Sequence, residues 1–389
     1  MYFCFQATVI KKHIPFNQPY LTGKETTYIL QAVQSKKLSG NGNFTKKCQQ
    51  FFEERYGFKK CLLTSSCTDA LEMATLLIEI KPGDEVIIPS FTFVSTANAF
   101  VLRGATIVFA DCEAQTPNID ADKIEELITS KTKAIVVVHY AGVACNMDKI
   151  MDLAAKHNLA VVEDAAQCID SRYKDKPLGS IGHLGAFSFH ETKNIISGEG
   201  GMIVINDERF INRSEILWEK GTNRAAFWRG EVKKYEWVDI GSSFLPSEII
   251  AAFLYAQLKS LDEIQKKRIQ LWNYYYASLK PLMVEGLIRL PFIPDYATNN
   301  AHMFYILCRN NSERNGLLDF LNKNNVNAVT HYLSLHKSPF YISKHGNRKL
   351  PFSDMYSDCL IRLPFFYELQ EEDIIQMGKV INSGLQELV

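Results

Sequence analysis

From residue 60 to residue 205, short runs rich in valine and isoleucine alternate with amphipathic stretches, and few folds accommodate that pattern. The apolar runs fall at 60–63, 85–88, 106–109, 132–138, 159–163, 186–189 and 201–205. All have the length of a buried strand, and all but 60–63 and 186–189 have its β-branched content. Between them, 68–80, 94–102, 119–128 and 147–157 read as helices. Strands alternating with helices predict a largely parallel sheet covered on both faces, an α/β architecture. In such sheets ligands collect beyond the carboxyl ends of the strands.

Helical patterns at 23–34 and 43–56 precede this series, and a long one at 247–279 leaves it. The C-terminal part of the chain alternates a strand at 304–307 with helices at 316–324 and 370–388. A chain of 389 residues is long for one core. The expected division is a large domain over 1–260 and a smaller α+β domain over 261–389.

Lysine plus arginine number 43 and aspartate plus glutamate 43, so no global field favours nucleic acid or an anionic membrane surface. An anionic ligand must be held by local groups. The nine cysteines (4, 48, 61, 67, 112, 145, 168, 308 and 359) contain no CxxC and no His-Cys metal spacing. That scatter predicts reduced thiols and no metal site. The first twenty residues lack a basic n-region and a small-residue cleavage site, and no apolar stretch is long enough to span a bilayer. The expectation is a cytoplasmic protein.

Two of the apolar runs end in chemistry. Asp164 closes the run at 159–163, and Lys193 follows the run at 186–189 in the string Ser188-Phe189-His190-Glu191-Thr192-Lys193-Asn194. Parallel strands would deliver both groups to one sheet edge. That pair suits pyridoxal 5'-phosphate (PLP): the lysine forms a Schiff base with the cofactor aldehyde, and the aspartate keeps the pyridine nitrogen protonated. The competing readings are a solvated loop lysine and a carboxylate capping the next helix. Gln167, one turn on, could donate to the ring oxygen.

A phosphate needs donors. Thr64, Ser65, Ser66 and Thr68 stand at a strand-to-helix junction, where free N–H groups and the helix dipole favour an anion. Helix capping alone is the other reading of Ser66. Cys67 in the same turn reads as a small packing residue, and Ser188 offers one more hydroxyl. Phe93 is a candidate to stack on the ring, whereas Phe91 reads as core. His331 and His336, five apart without acidic or thiol company, fit substrate contact or structural hydrogen bonding better than a metal. Lys220, Arg224 and Arg229, interleaved with Phe227, Trp228, Tyr235 and Trp237, form either a receptor for a nucleotide diphosphate or a solvated loop.

With these residues assembled, the chain resembles the DegT/DnrJ/EryC1/StrS family of sugar aminotransferases, which are fold-type-I PLP enzymes. The similarity runs from residue 14 to residue 369. It implies that Asp164 meets the pyridine nitrogen, Gln167 the ring oxygen, Ser188 the phosphate and Phe93 the ring face, with Lys193 as the catalytic amine. The family's Ser-Gly-Thr phosphate turn is here Ser66-Cys67-Thr68. Where much of the family carries Gly-Tyr-Asn-Tyr-Arg, reaching the neighbouring subunit's phosphate, this chain has Gly241-Ser242-Ser243-Phe244-Leu245, so Ser243 replaces the asparagine.

The strings at 47–57, 138–148, 198–201 and 220–224 are similar to one branch in particular. That branch aminates C4 of a dTDP-4-keto-6-deoxyhexose with L-glutamate as donor. The resemblance implies a ping-pong cycle in a homodimer with active sites at the interface. The same family also contains transaminases acting at C3 or on GDP- or UDP-linked sugars. Relatives that dehydrate sugars carry histidine in place of the lysine, and Lys193 argues against that chemistry.

Overall fold

The structure is a computed structural model and describes residues 12–388. Cys4 and most of the N-terminal segment lie outside the described residues. In chain order the strands are β1 (Cys61–Thr64), β2 (Glu85–Pro89), β3 (Thr106–Ala110), β4 (Thr132–Val138), β5 (Ala160–Asp164), β6 (Arg172–Tyr173), β7 (Lys176–Pro177), β8 (Leu184–Ser188), β9 (Gly201–Ile205), β10 (Tyr305–Leu307) and β11 (Leu360–Arg362).

Seven strands form the central sheet in the order β1-β9-β8-β5-β4-β2-β3. All neighbours pair in parallel except β9, which runs antiparallel to both β1 and β8. Successive residues of one strand enter different cores, as the two-residue period demands. On β4, Ile135 and Val137 pack in the core on one face, while Ala134 and Val136 pack in the core on the other. Both faces are therefore dry, which explains why the strands read as continuous apolar runs.

The register sets up the site. Val138 lies opposite Asp164, Asp164 opposite Ala186, Ser188 opposite Gly201, and Gly201 opposite Thr64. The carboxyl ends of four strands and the start of the antiparallel one thus meet along one edge.

A third core gathers Ile14 with residues of the helix Leu261–Val284, of β10 and β11 and of the C-terminal helix, among them Leu271, Tyr275, Ile306, Ile361 and Met377. β10 and β11 pair antiparallel within it.

Two helical expectations are corrected. Residues 119–128 are not an α-helix but two 3-10 turns, Ala121–Lys123 and Glu125–Leu127. The buried residues there, Ala121, Ile124 and Leu127, recur every third position, which is the 3-10 period and not the α period. The long pattern at 247–279 is two helices, Glu248–Leu258 and Leu261–Val284, parted at Lys259 and Ser260. Leu258 and Leu261 on either side of the break are both buried, so the apolar pattern runs on across it.

Candidate active site

Val162 and Asp164 project to the same face of β5, and Glu163 projects to the other. On its face Glu163 is fully buried, yet its carboxylate takes N–H bonds from Gly179 (2.8 Å), Ile181 (2.7 Å) and Gly182 (2.5 Å). His139 completes the set at 3.0 Å through Nε2, because its Nδ1 already accepts from the Cys145 N–H. The satisfied cluster anchors the end of β5 to the loop at 179–182.

Asp164 itself is 6% exposed. Its Oδ2 accepts from the Thr96 hydroxyl at 2.7 Å and its Oδ1 from the Ala166 N–H at 3.2 Å. Burial raises its pKa above the ordinary carboxylate value, with the Thr96 hydrogen bond opposing the rise. Lys193 lies in a turn closed by its N–H on the His190 carbonyl at 2.9 Å. Burial lowers the pKa of its amine, and the neighbouring Cys67 and Asp164 oppose that shift.

The two groups line one cavity of about 550 Å³. Ser66, Cys67, Thr68, Phe93, Gln167, Ser188 and His331 share its walls with them. Ser66 is the N-cap of the helix Cys67–Leu77, its Oγ accepting from the Asp69 N–H at 3.0 Å. The first-turn N–H groups beyond it have no acceptor in their own helix. Cys67 has ordinary helical backbone, not positive φ, so a side chain replaces the family's glycine there without strain. The turn rests on the sheet because β9 begins with glycine: a Cβ on Gly201 would lie 2.3 Å from the Ser66 carbonyl carbon.

Phe93, 54% exposed, caps the helix Val94–Val101 with its ring 6.0 Å from that of Tyr332. Phe91 is fully buried against Tyr140, as core. Gln167 accepts from the Ala141 N–H at 2.5 Å and turns its amide nitrogen to the Tyr332 hydroxyl at 3.4 Å. His331 lies between the Tyr140 hydroxyl (3.3 Å) and the Arg362 guanidinium (3.4 Å). His336 is bound to Ser90 Oγ at 2.7 Å, away from the cavity.

Other residues named from sequence lie elsewhere in the chain. Arg224 pairs with Glu219 at 3.6 Å, and Arg229 with Glu215 at 2.7 Å and Glu231 at 2.6 Å. Both line a second cavity of about 480 Å³ together with Lys46, Lys60 and Trp228. Lys220 and Ser243 are exposed, and neither lines the first cavity.

Sequence reasoning missed Thr96, His302, Tyr332 and Arg362, all close to the pair or on the cavity wall. They come from four segments distant in sequence from both Asp164 and Lys193. Thr96 and Tyr332 lie in the strings that supplied Phe93 and His331, and Arg362 lies in the string that ends the family resemblance, so of the four only His302 carried no signal.

An open α/β sheet with a cavity at the carboxyl ends of its strands defines the class of protein. Residues 19–382 match the DegT/DnrJ/EryC1/StrS aminotransferase family. GDP-perosamine synthase of Escherichia coli O157:H7 is 33% identical over 373 residues, covering 96% of this chain and 98% of that protein. The spore coat polysaccharide biosynthesis protein SpsC of Bacillus subtilis is 33% identical over 370 residues, covering 93% and 94%. Spr1654 of Streptococcus pneumoniae, solved in its PLP form, superposes with a TM-score of 0.89 at 24% identity, covering 97% of this chain and all of that one. The chain belongs to the DegT/DnrJ/EryC1/StrS aminotransferase family.

Proposed function

We propose that this chain is a PLP-dependent sugar-nucleotide aminotransferase, acting as a homodimer. The reaction moves an amino group from L-glutamate to C4 of a dTDP-4-keto-6-deoxyhexose. In the branch it resembles, dTDP-4-dehydro-6-deoxy-D-glucose becomes dTDP-4-amino-4,6-dideoxy-D-galactose. The observation that carries the reading is that Asp164 and Lys193 share one cavity with the Ser66–Thr68 turn.

The residues fit the cofactor. Among the described residues the buried Asp164 carboxylate accepts hydrogen bonds from neutral donors alone, so a pyridinium N–H would supply a directly bonded positive partner. The N-terminus of the helix Cys67–Leu77, with Ser66, Thr68 and the Ser188 hydroxyl, offers donors for a phosphate. Gln167 would hold the ring oxygen, and Phe93 would cover a ring face. When bound, PLP acts as an electron sink for negative charge at the reacting carbon. The chain's own work is proton movement: the Lys193 amine, kept less basic by burial, would take a proton from the donor's Cα and return it to the cofactor carbon two bonds away, across the nitrogen being transferred. Reversing those transfers on the keto-sugar delivers the amine.

In this reading His331 contacts substrate inside the cavity. Lys220, Arg224, Arg229 and Ser243 serve the partner's cavity, a proposal supported by their place on an exposed segment with Trp228 (71% exposed) and Trp237 (81%). Arg224 and Arg229 must exchange their carboxylate partners to hold a diphosphate. In this reading residues 1–260 carry the cofactor site, and 261–389 add His302, His331 and Arg362 to its wall.

A second reading keeps the enzyme and changes the sugar. The likeness to GDP-perosamine synthase favours a GDP-linked substrate, and a UDP-linked or C3-keto sugar is the remaining variant. Pyridoxamine phosphate-loaded protein, mixed with dTDP-, GDP- and UDP-linked keto-sugars, separates these readings. The productive sugar restores a yellow band near roughly 420 nm, characteristic of lysine-linked PLP. Return of the band with the GDP sugar alone would overturn the dTDP assignment, and no response to any keto-sugar would overturn the reaction.

A further inference from the structure

Behind Lys193 a buried polar chain fixes the protonation of an imidazole. Asn300 is 1% exposed, and its side chain donates to the carbonyls of Gln167 (2.7 Å) and Ile169 (2.8 Å), clamping the turn after Asp164. Its own carbonyl accepts from Asn194 Nδ2 at 3.0 Å. A carbonyl can only accept, so the orientation of the Asn194 amide is settled, and Oδ1 is the atom that faces His302 Nδ1 at 2.8 Å. An oxygen acceptor there requires His302 to carry its hydrogen on Nδ1. Arg268 holds the same segment from behind, donating to the carbonyls of Ala301 (3.0 Å) and His302 (2.6 Å).

The consequence lies at the other ring nitrogen. His302 is 3% exposed, and what surface it has lines the cavity that holds Lys193. Among the described residues Nε2 has no hydrogen-bond partner, and in this tautomer it presents a lone pair. Burial together with the cations Lys193, Arg362 and Arg268 drives its pKa well below the usual histidine value, so the ring stays neutral. The cavity thus contains an acceptor of fixed direction and, on another part of its wall, an amine that must alternate between charged and neutral forms.

We propose that His302 is a positioning residue for Lys193: no hydrogen bond joins the two in the structure, and the amine, turning within the cavity they share, donates to the Nε2 lone pair, which aims the amine's own lone pair. The proposal rests on the aminotransferase reading. The titratable groups whose charge acts on Lys193 are Cys67 of the helix Cys67–Leu77, Asp164 of β5, Arg362 of β11 and Cys168 of the turn after β5. His302 differs from them as a neutral acceptor held in one tautomer by the residue adjacent to the lysine.

A neutral acceptor stabilises an ammonium more than an amine, so removing it lowers the amine's pKa further. Competitive acetylation of the cofactor-free protein with acetic anhydride, read by mass spectrometry at Lys193 across pH, measures this without turnover. For His302→Met the labelling midpoint falls by about one pH unit, and for His302→Gln, whose amide oxygen can accept, it returns toward wild type. In the loaded enzyme, His302→Met slows both half-reactions by the same factor, about ten- to a hundredfold, with both KM values held, because one lysine serves both.

An unchanged midpoint in His302→Met overturns the proposal. So does a loss confined to one half-reaction with a raised KM, which would mean that His302 touches that substrate instead. Should His302→Met not fold, Asn194→Ala frees the tautomer without altering His302, and an unmoved midpoint there overturns it equally. Failure of the aminotransferase reading shows separately, as wild-type protein whose spectrum responds to no amino donor.

Discussion

The Thr96 hydroxyl donates to Asp164 Oδ2 at 2.7 Å, and Thr92 Oγ1 stands 2.8 Å from the same threonine oxygen. Because the Thr96 hydrogen is committed to the carboxylate, Thr92 must donate to Thr96. This two-hydroxyl relay polarises the one side-chain hydrogen bond that Asp164 receives. Thr96→Val keeps the shape and removes the donor. A hydrogen bond to a charged group is worth about 1.5–3 kcal/mol, so PLP affinity should fall by at least about tenfold. Thr96→Ser should bind nearly as wild type. Spectrophotometric titration with PLP checks both, and a wild-type dissociation constant for Thr96→Val would refute the argument.

The pKa directions of Asp164 and Lys193 make opposite statements about the cofactor-free protein. Asp164 is raised above 3.8, so the folded chain binds the extra proton between 3.8 and its folded value, and stability falls as pH rises through that window. Lys193 is lowered below 10.5, so the unfolded chain binds the extra proton between the folded value and 10.5, and stability rises with pH there. Each shift records a cost of holding the charged form in the folded chain. Cofactor-free Asp164→Asn should therefore melt at or above the wild-type temperature while transamination drops at least about a hundredfold. A melting temperature several degrees lower would show that the carboxylate is structural.

Lys193→Ala separates binding from chemistry. The Ser66–Thr68 turn and Asp164 remain, so PLP should still associate, now without a covalent link. Borohydride should no longer fix it to the chain, and turnover should fall about 10²- to 10⁴-fold. Undiminished turnover would assign the catalytic amine to another residue.

What could be read from the sequence divides along the range of the interactions. Strands β2 to β5 announce themselves because each is a β-branched run buried on both faces. Asp164 was visible because it ends such a run, and Lys193 because it follows closely on the apolar run at 186–189. The segment at 119–128 misled because its spacing of three sits close enough to a helical pattern to pass for one. Thr96, His302 and Arg362 could not be anticipated from periodicity, since their meaning depends on which strand ends lie side by side. The pairing of Arg224 and Arg229 with Glu219, Glu215 and Glu231 was equally hidden, because nothing in the basic, aromatic-rich string says which carboxylates the fold brings to it.

Glu248 offers a test of what holds the amino-terminal helices to the body of the fold. Although it begins its own helix, Glu248–Leu258, its carboxylate caps a different one. Oε1 accepts from the Gly42 and Thr45 N–H groups, each at 3.0 Å, and from the Thr45 hydroxyl at 2.5 Å, while Oε2 accepts from the Phe44 N–H at 2.7 Å. The side chain is 2% exposed, and the charge sits at the positive end of the helix Asn43–Tyr56. Its approach requires glycine at 42, where an added Cβ would come within 2.5 Å of the Glu248 carboxyl carbon. Glu248→Gln replaces one acceptor oxygen by an amide that faces N–H donors, leaving buried groups unpaired. The expected loss is about 2–4 kcal/mol of unfolding free energy, read from the urea midpoint at constant m-value. Gly42→Ala should lose a similar amount by pushing the carboxylate away. If either variant unfolds at the wild-type urea concentration, the helix does not depend on this cap.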